Sequence, residues 1–377
     1  MKYSIQLLLC LVPAFACATL AAAPREWTPK NDADVIERLP ERVRAPAATP
    51  EAAAQAARQW ITLARRDADP RYLGRAQAAL ARWWDKPDAP AELAVLQATI
   101  EQNRHEFDAA RKTLQAVLKR EPKQAQGWLT MATLERLSGQ YEAAVQSCER
   151  VKMAGAALYA EACMLETRSL QGKFDKAQLG LQALARQTAD ASTRAWLLSL
   201  LAENEERAGR DASAKTAYQE SLKLESDGYT ALAFADMLLR LAQPAEALKV
   251  LANQAPSDSV LIRQGRALKL QGDAGWKSIR SELAERFAAL DARGEDSTLH
   301  ARERALAALW LDDSPAAAWR HAEANLKLQK EPLDWRLALL AAEAEKRTQD
   351  ISRLQQALQE TGLKDARLAR WQTAHKS

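Results

Sequence analysis

Four times between residues 105 and 214 the sequence repeats one short phrase. His105-Glu106-Phe107-Asp108-Ala109-Ala110 is followed by Gly139-Gln140-Tyr141-Glu142-Ala143-Ala144, then by Gly172-Lys173-Phe174-Asp175-Lys176-Ala177 and Gly209-Arg210-Asp211-Ala212-Ser213-Ala214. The closing alanines, with Ala247 after them, stand 34, 33, 37 and 33 residues apart. Periods of that size mark a supersecondary unit that stacks on copies of itself. Around each phrase lie two amphipathic stretches. In one unit Trp128, Met131, Ala132 and Leu134 share a helical face before the phrase, and Tyr141, Ala144, Val145, Cys148 and Val151 share one after it. Neither helix hides its apolar face alone, so neighbouring units must share a core and the two ends need covering.

The phrase has a physical reading. Gly139, Gly172 and Gly209 fall where the first helix ends, and a residue without a side chain takes the left-handed conformation there at little cost. Ala144, Ala177 and Ala214 fall where the second helix crosses the first, and a small side chain permits close approach. Phe107, Tyr141 and Phe174 fill the gap between the two helices. Pro244 and Pro315 begin second helices, where a missing amide hydrogen matters least.

Among 377 residues there are only 13 glycines and 14 prolines, and the pairs that turn β-hairpins are nearly missing. An all-α chain is expected. A net charge of +4, with 27% charged residues of both signs, implies neither a broad nucleic-acid footprint nor an acidic tail. Residues 1–23 carry Lys2, an apolar run from Ile5 to Phe15 and small residues up to Ala23, the layout of a secretory signal peptide. Export to the periplasm or the medium is therefore expected, with a lipoprotein anchored through Cys17 as the minor alternative. No later segment is long and charge-free enough to span a bilayer, so the mature chain is expected to lack a transmembrane segment. Residues 24–50 hold five prolines and no sustained period, which reads as an extended arm. That arm is either a tether or a cover whose Trp27, Val35, Ile36 and Leu39 pack on the first helices.

At the residues quoted above the chain resembles the tetratricopeptide repeat family, whose unit is a pair of antiparallel helices. The resemblance is firm over 91–256 and degenerate over 257–377. It implies a right-handed superhelical solenoid of antiparallel helix hairpins over 51–377, with about nine hairpins and a closing helix near 363–374. It also implies a protein or peptide partner held on the concave face and no cofactor. Nothing in the periodicity fixes the oligomeric state or the partner.

Chemistry finds little support. His105, His300, His321 and His375 stand apart, without a second ligand at helical spacing, so no metal site is expected. No glycine-rich phosphate loop or nucleophile elbow is present. No enzyme is expected, although a cell-wall or sugar-handling enzyme on a superhelix, and a purely architectural spacer, stay open as alternatives. Cys148 and Cys163 lie seven residues before and eight after Gly155, so a turn there brings them to similar height. They are either a disulfide or two buried thiols. In residues 67–84, Asp69-Pro70 reads as a helix start, with Tyr72, Ala76, Leu80 and Trp83 on one core or capping face and Trp84 off it as the better candidate for a binding contact.

One column runs through three successive first helices. Tyr159, Trp196 and Tyr229 occupy equivalent positions; Glu166, Glu203 and Asp236 follow seven residues on; Leu170, Arg207 and Arg240 come four later. Those spacings place all nine on one helix face. The family resemblance puts that face in the groove, so Tyr159, Glu166, Trp196, Glu203, Arg207, Tyr229, Asp236 and Arg240 are the candidate partner-binding residues. The bland alternative is surface pairing of Glu203 with Arg207 and Asp236 with Arg240. The lysines and asparagines with which the family's chaperone-binding members hold a terminal carboxylate are absent. Val95, Thr99, Leu129, Thr133, Ala162, Ser199 and Leu232 stand there instead.

Overall fold

The computed structural model describes residues 49–67, 69–294 and 296–372. The expected signal peptide and all but the last two residues of the arm, including Trp27, Val35, Ile36 and Leu39, lie outside the described residues. What is described is all-α, with nineteen α-helices, two short 3-10 segments and no strand.

The helices alternate as first and second members of nine antiparallel pairs. These are α1 (Pro50–Arg66) with α2 (Arg71–Leu80), α3 (Ala91–Asn103) with α4 (Phe107–Arg120), and α5 (Ala125–Leu137) with α6 (Tyr141–Met153). Next come α7 (Ala157–Leu170) with α8 (Phe174–Gln187), α9 (Ala191–Arg207) with α10 (Asp211–Leu224), and α11 (Gly228–Arg240) with α12 (Pro244–Leu251). The last three are α13 (Asp258–Gln271) with α14 (Trp276–Ala292), α15 (Ala301–Trp310) with α16 (Pro315–Leu328), and α17 (Pro332–Ala344) with α18 (Thr348–Thr361). A 3-10 turn at Ala366–Leu368 and the short α19 (Ala369–Gln372) close the series. First helices of successive pairs touch one another directly, as α3 does α5, α5 does α7 and α11 does α13. They form the inner layer, and each second helix packs between the first helices before and after it. This is the superhelical repeat fold.

The repeated phrase is the turn inside each pair. Gly139, Gly172 and Gly209 have φ of 73°, 84° and 75°, in the left-handed region expected of them. The same position in other pairs is held by His105, Ala242, Asp313 and Lys346, also left-handed with φ of 62°, 56°, 49° and 55°. Helix pairing therefore imposes the turn, and glycine only makes it cheap. Five residues after six of these seven turns stand Ala110, Ala144, Ala177, Ala214, Ala247 and Ala318, all with no exposed surface, and after Lys346 stands the half-buried Ile351. A larger side chain in place of any of the six alanines would push the two helices apart. Several first helices also start on side-chain caps: Asp190, Asp227 and Ser257 accept from the amides of Thr193, Thr230 and Val260.

The first pair departs from its expectation in detail. Its buried stripe is Leu73, Ala76 and Leu80, while Tyr72 is half-buried and stacks on Trp60 with ring centroids 5.7 Å apart. Helix α2 stops at Leu80, so Trp83 lies in the following turn, and both it and Trp84 pack on the cluster of this pair. Trp84 is thus a cover for the end of the core.

Cys148 on α6 and Cys163 on α7 are joined by a disulfide, with Cα atoms 5.7 Å apart. Gly155, with φ of 91°, makes the turn that brings them level. The bridge lies against Ala132, Leu129 and Met164 and staples the third pair to the fourth.

The final pairs return to the middle of the series. The backbone N–H of Lys330 donates to the carbonyl of Leu137 at 2.7 Å, and that of Lys364 to Leu170 at 2.8 Å. The His105 ring, through Nδ1–H, donates to the carbonyl of Leu299 at 2.8 Å. Tyr141, 1% exposed, belongs to the apolar cluster of the last pairs together with Trp335, Leu354, Leu358 and Leu363. Burial of these side chains at about 25 cal/mol per Å² drives the contact, and the two backbone bonds fix its register. The C-terminal pairs thus lie across the turns of the second to fifth pairs.

Candidate functional site

The nine-residue column falls on α7, α9 and α11, and its three tiers meet different surroundings. At the upper tier Tyr159 and Trp196 are neighbours, with ring centroids 5.7 Å apart at 38°. Tyr159 is 42% exposed and Tyr229 49%, whereas Trp196 is half-buried against the core of the fourth to sixth pairs. Large aromatic faces left to solvent on one strip are costly unless something covers them. From the first pair, Arg65 reaches this tier: its guanidinium binds Asp227 at 2.9 Å and lies 5.9 Å from the Tyr229 ring.

The middle tier is acidic and already partnered within the chain. Glu166 pairs with Arg136 at 3.0 Å, Glu203 with Arg207 at 3.3 Å, and Asp236 with Arg263 at 2.5 Å. Asp236 therefore does not pair with Arg240, although helical spacing allows it; Arg263 from the next first helix reaches it instead. Arg240 turns away to Asp211 and Glu206, at 2.5 and 3.3 Å. Arg207 is buried and donates through Nε to Ser169 Oγ at 3.0 Å. Leu170 is buried under the returning C-terminal segment.

Burial raises the Glu203 carboxyl above its ordinary range; Arg207 opposes that rise, and Glu166 and Glu331 add to it. The Glu203 charge in turn, with Glu331 and Glu166 behind it, lifts the Tyr229 phenol well above its usual value. Glu331 comes from the start of α17, so the returning pair faces this tier. One Glu203 oxygen, Oε1, is buried without a hydrogen-bond partner. A buried carboxylate oxygen without a donor is a place where an incoming cation gains much.

The expected trough is therefore not empty along its whole height. Its lower part is occupied by the chain's own α17 and the segment after α18, while the aromatic strip above stays accessible. Arg65, Arg136, Arg263 and Glu331 complete the site, and repeat spacing does not reveal them. Each belongs to another pair, and only the packing of pairs brings it near. Among the described residues no three His, Cys, Asp or Glu side chains are grouped to hold a metal ion, and no helix is long and apolar enough to cross a membrane.

No family model matches the sequence, and no curated protein does. Solved structures similar to it are repeat proteins. One, from the functional characterisation of pilF of Pseudomonas aeruginosa, is 16% identical over 54% of this chain and 94% of that one, with a TM-score of 0.37. A human IFIT1 dimer with PPP-AAAA is 13% identical over 83% of this chain and 72% of that one, at 0.47. A tetratricopeptide repeat protein from Parabacteroides merdae is 14% identical over 67% of this chain and 99% of that one, at 0.39. By its own period and helix pairing, the chain has a tetratricopeptide-like solenoid fold.

Proposed function

We propose that this protein is an exported, non-catalytic adaptor of the cell envelope that binds an extended segment of another protein along the strip of Tyr159, Trp196 and Tyr229. The observation that carries the reading is the pair of exposed rings, Tyr159 and Tyr229, flanking Trp196 directly above the acidic tier. Aromatic faces beside an unsatisfied Glu203 oxygen suit a segment with a lysine or arginine next to an apolar residue. Export is supported by the layout of residues 1–23 and by the Cys148–Cys163 bridge, because disulfides persist in oxidising compartments.

A photo-crosslinking residue at Tyr229, used in envelope extract, tests the reading. The captured peptide is expected to contain a basic residue, and capture is expected to fall at least tenfold when Tyr159→Ser is added. Equal capture with and without Tyr159→Ser, or crosslinks to acidic segments, would sink it.

A further inference from the structure

Where the last pair meets the fifth and sixth, a cavity of about 500 Å³ opens between α17, α19 and the turns after α9 and α11. Four arginines line it: Arg240, Arg336, Arg367 and Arg370. Three have carboxylate partners. Arg240 holds Asp211 at 2.5 Å and Glu206 at 3.3 Å; Arg367 holds Asp365 at 2.6 Å and Glu206 at 2.9 Å; Arg370 holds Glu343 at 2.6 Å. Arg336 alone makes no hydrogen bond or ion pair among the described residues. Desolvation and the neighbouring charges of Arg367 and Arg240 disfavour its cation, and the more weakly felt charges of Asp236 and Glu206 oppose them. Leu340 and Trp371 give the cavity an apolar wall, and the Arg370 guanidinium lies 3.9 Å over the Trp371 ring.

A guanidinium crowded by two others and left without an acceptor is a poor structural element and a good receptor. Its fork presents five N–H donors, and the arginines beside it are already fixed by their own carboxylates. Glu206 and Asp211 also line the cavity but are taken up by Arg240 and Arg367, so the Arg336 fork has no acceptor of its own. The cavity volume is several times that of a bare oxyanion, so the ligand has a further, apolar portion to lie along Leu340 and Trp371.

We infer that this cavity is a binding site for a small organic oxyanion, held by the Arg336 fork with its apolar portion against Leu340 and Trp371. The inference is independent of the aromatic strip. The middle and the end of the described helix series meet the ligand together, because Arg240 and Glu206 come from the middle pairs and Arg336, Arg367 and Arg370 from the last pair and the segment after it.

Isothermal titration of the purified chain at low ionic strength with phenyl phosphate and, separately, with benzoate tests it. At least one should bind, and its Kd should rise tenfold or more in Arg336→Met, with Arg336→Lys in between because it keeps charge and loses the fork. Binding of the phosphate alone assigns a phosphate ester, and binding of the benzoate alone a carboxylate. Thermal melting should show Arg336→Met folded and no less stable than wild type, since no partner is lost. Failure of both compounds to bind at millimolar concentration, or unchanged affinity in Arg336→Met, overturns the assignment.

Discussion

The amide of Lys364 donates to the carbonyl of Leu170 at 2.8 Å, and the Cα of Gly172 faces the same lysine side chain. A Cβ at Gly172 would come within 2.9 Å of Lys364 Cγ and 3.1 Å of its Cβ, atoms too close to the backbone to swing aside freely. Gly155 has a similar positive φ and nothing within 4 Å of such a Cβ. Gly155→Ala should therefore cost only the left-handed backbone penalty, about 1–2 kcal/mol. Gly172→Ala should cost about 1 kcal/mol or more beyond that and should increase amide exchange at Lys364. Chemical denaturation of both variants measures the difference, and equal costs would mean that the C-terminal segment is not seated on this turn.

The bridge between Cys148 and Cys163 closes a loop of 15 residues, which in the chain-entropy account stabilises by about 3 kcal/mol. Both sulfurs are buried and the staple spans two pairs, so its loss should be felt beyond the loop. The Cys148→Ala, Cys163→Ala double variant should unfold at lower denaturant in oxidising buffer, and should match reduced wild type to within about 1 kcal/mol. A thiol-labelling assay that finds Cys148 and Cys163 themselves reactive in the unfolded, unreduced chain, beside Cys10 and Cys17 where these are present, would show that the bridge does not form.

Much of the architecture is legible in the sequence because it is local and periodic. The phrase from Gly139 to Ala144 places a turn, a spacer aromatic and a crossing alanine within six residues, and each is recognised by size or backbone freedom. Where the turn is held by Ala242, Asp313 or Lys346 the signal disappears although the geometry stays, since pairing pays the left-handed penalty in those pairs. Burial of Tyr141 under the last pairs leaves no trace, because contact between distant pairs has no period to detect. The same applies to the site: the aromatic tier reads directly from equivalent positions, but Arg136 on Glu166 and Arg263 on Asp236 come from adjacent pairs, and Glu331 from the last pair.

Glu101 on α3 is 3% exposed and is held by neutral donors, Gln97 Nε2 at 2.7 Å and Thr113 Oγ1 at 3.1 Å. Burial raises its pKa, the two hydrogen bonds oppose that, and Asp85 and Glu106 add to it. A carboxyl whose folded pKa lies above its unfolded value binds its proton more tightly when folded. Its ionisation therefore costs stability as pH rises through and above the folded pKa, and costs nothing below the unfolded one. Glu101→Gln removes the charge and keeps both contacts, its Oε1 accepting from Gln97 and its Nε2–H donating to the Thr113 hydroxyl. It should melt above wild type at pH 7, with the advantage fading as pH falls toward about 4. Melting curves across that range decide it; an advantage independent of pH would refute the charge argument.

Asp334 has no exposed surface and accepts from Arg302 Nε and Nη2 at 2.7 Å each, from Asn325 Nδ2 at 2.7 Å and from the amide of Glu331 at 2.8 Å. Arg302 also binds Glu331, so one guanidinium holds both acids at the start of α17. Removing it leaves a buried carboxylate with amide donors only, and breaking a buried pair in this way costs about 3–5 kcal/mol. Arg302→Met should lose that much at pH 7. Burial already raises the Asp334 carboxyl and Arg302 holds it down, so without Arg302 it rises further. The loss in Arg302→Met should then shrink as pH falls and Asp334 takes up a proton. Adding Asp334→Asn should recover about half of the loss at pH 7, because the unpartnered charge is the expensive part. Denaturation midpoints of the single and double variants at two pH values measure this. A double variant no more stable than Arg302→Met would show that lost packing, and not the stranded charge, destabilises the start of α17.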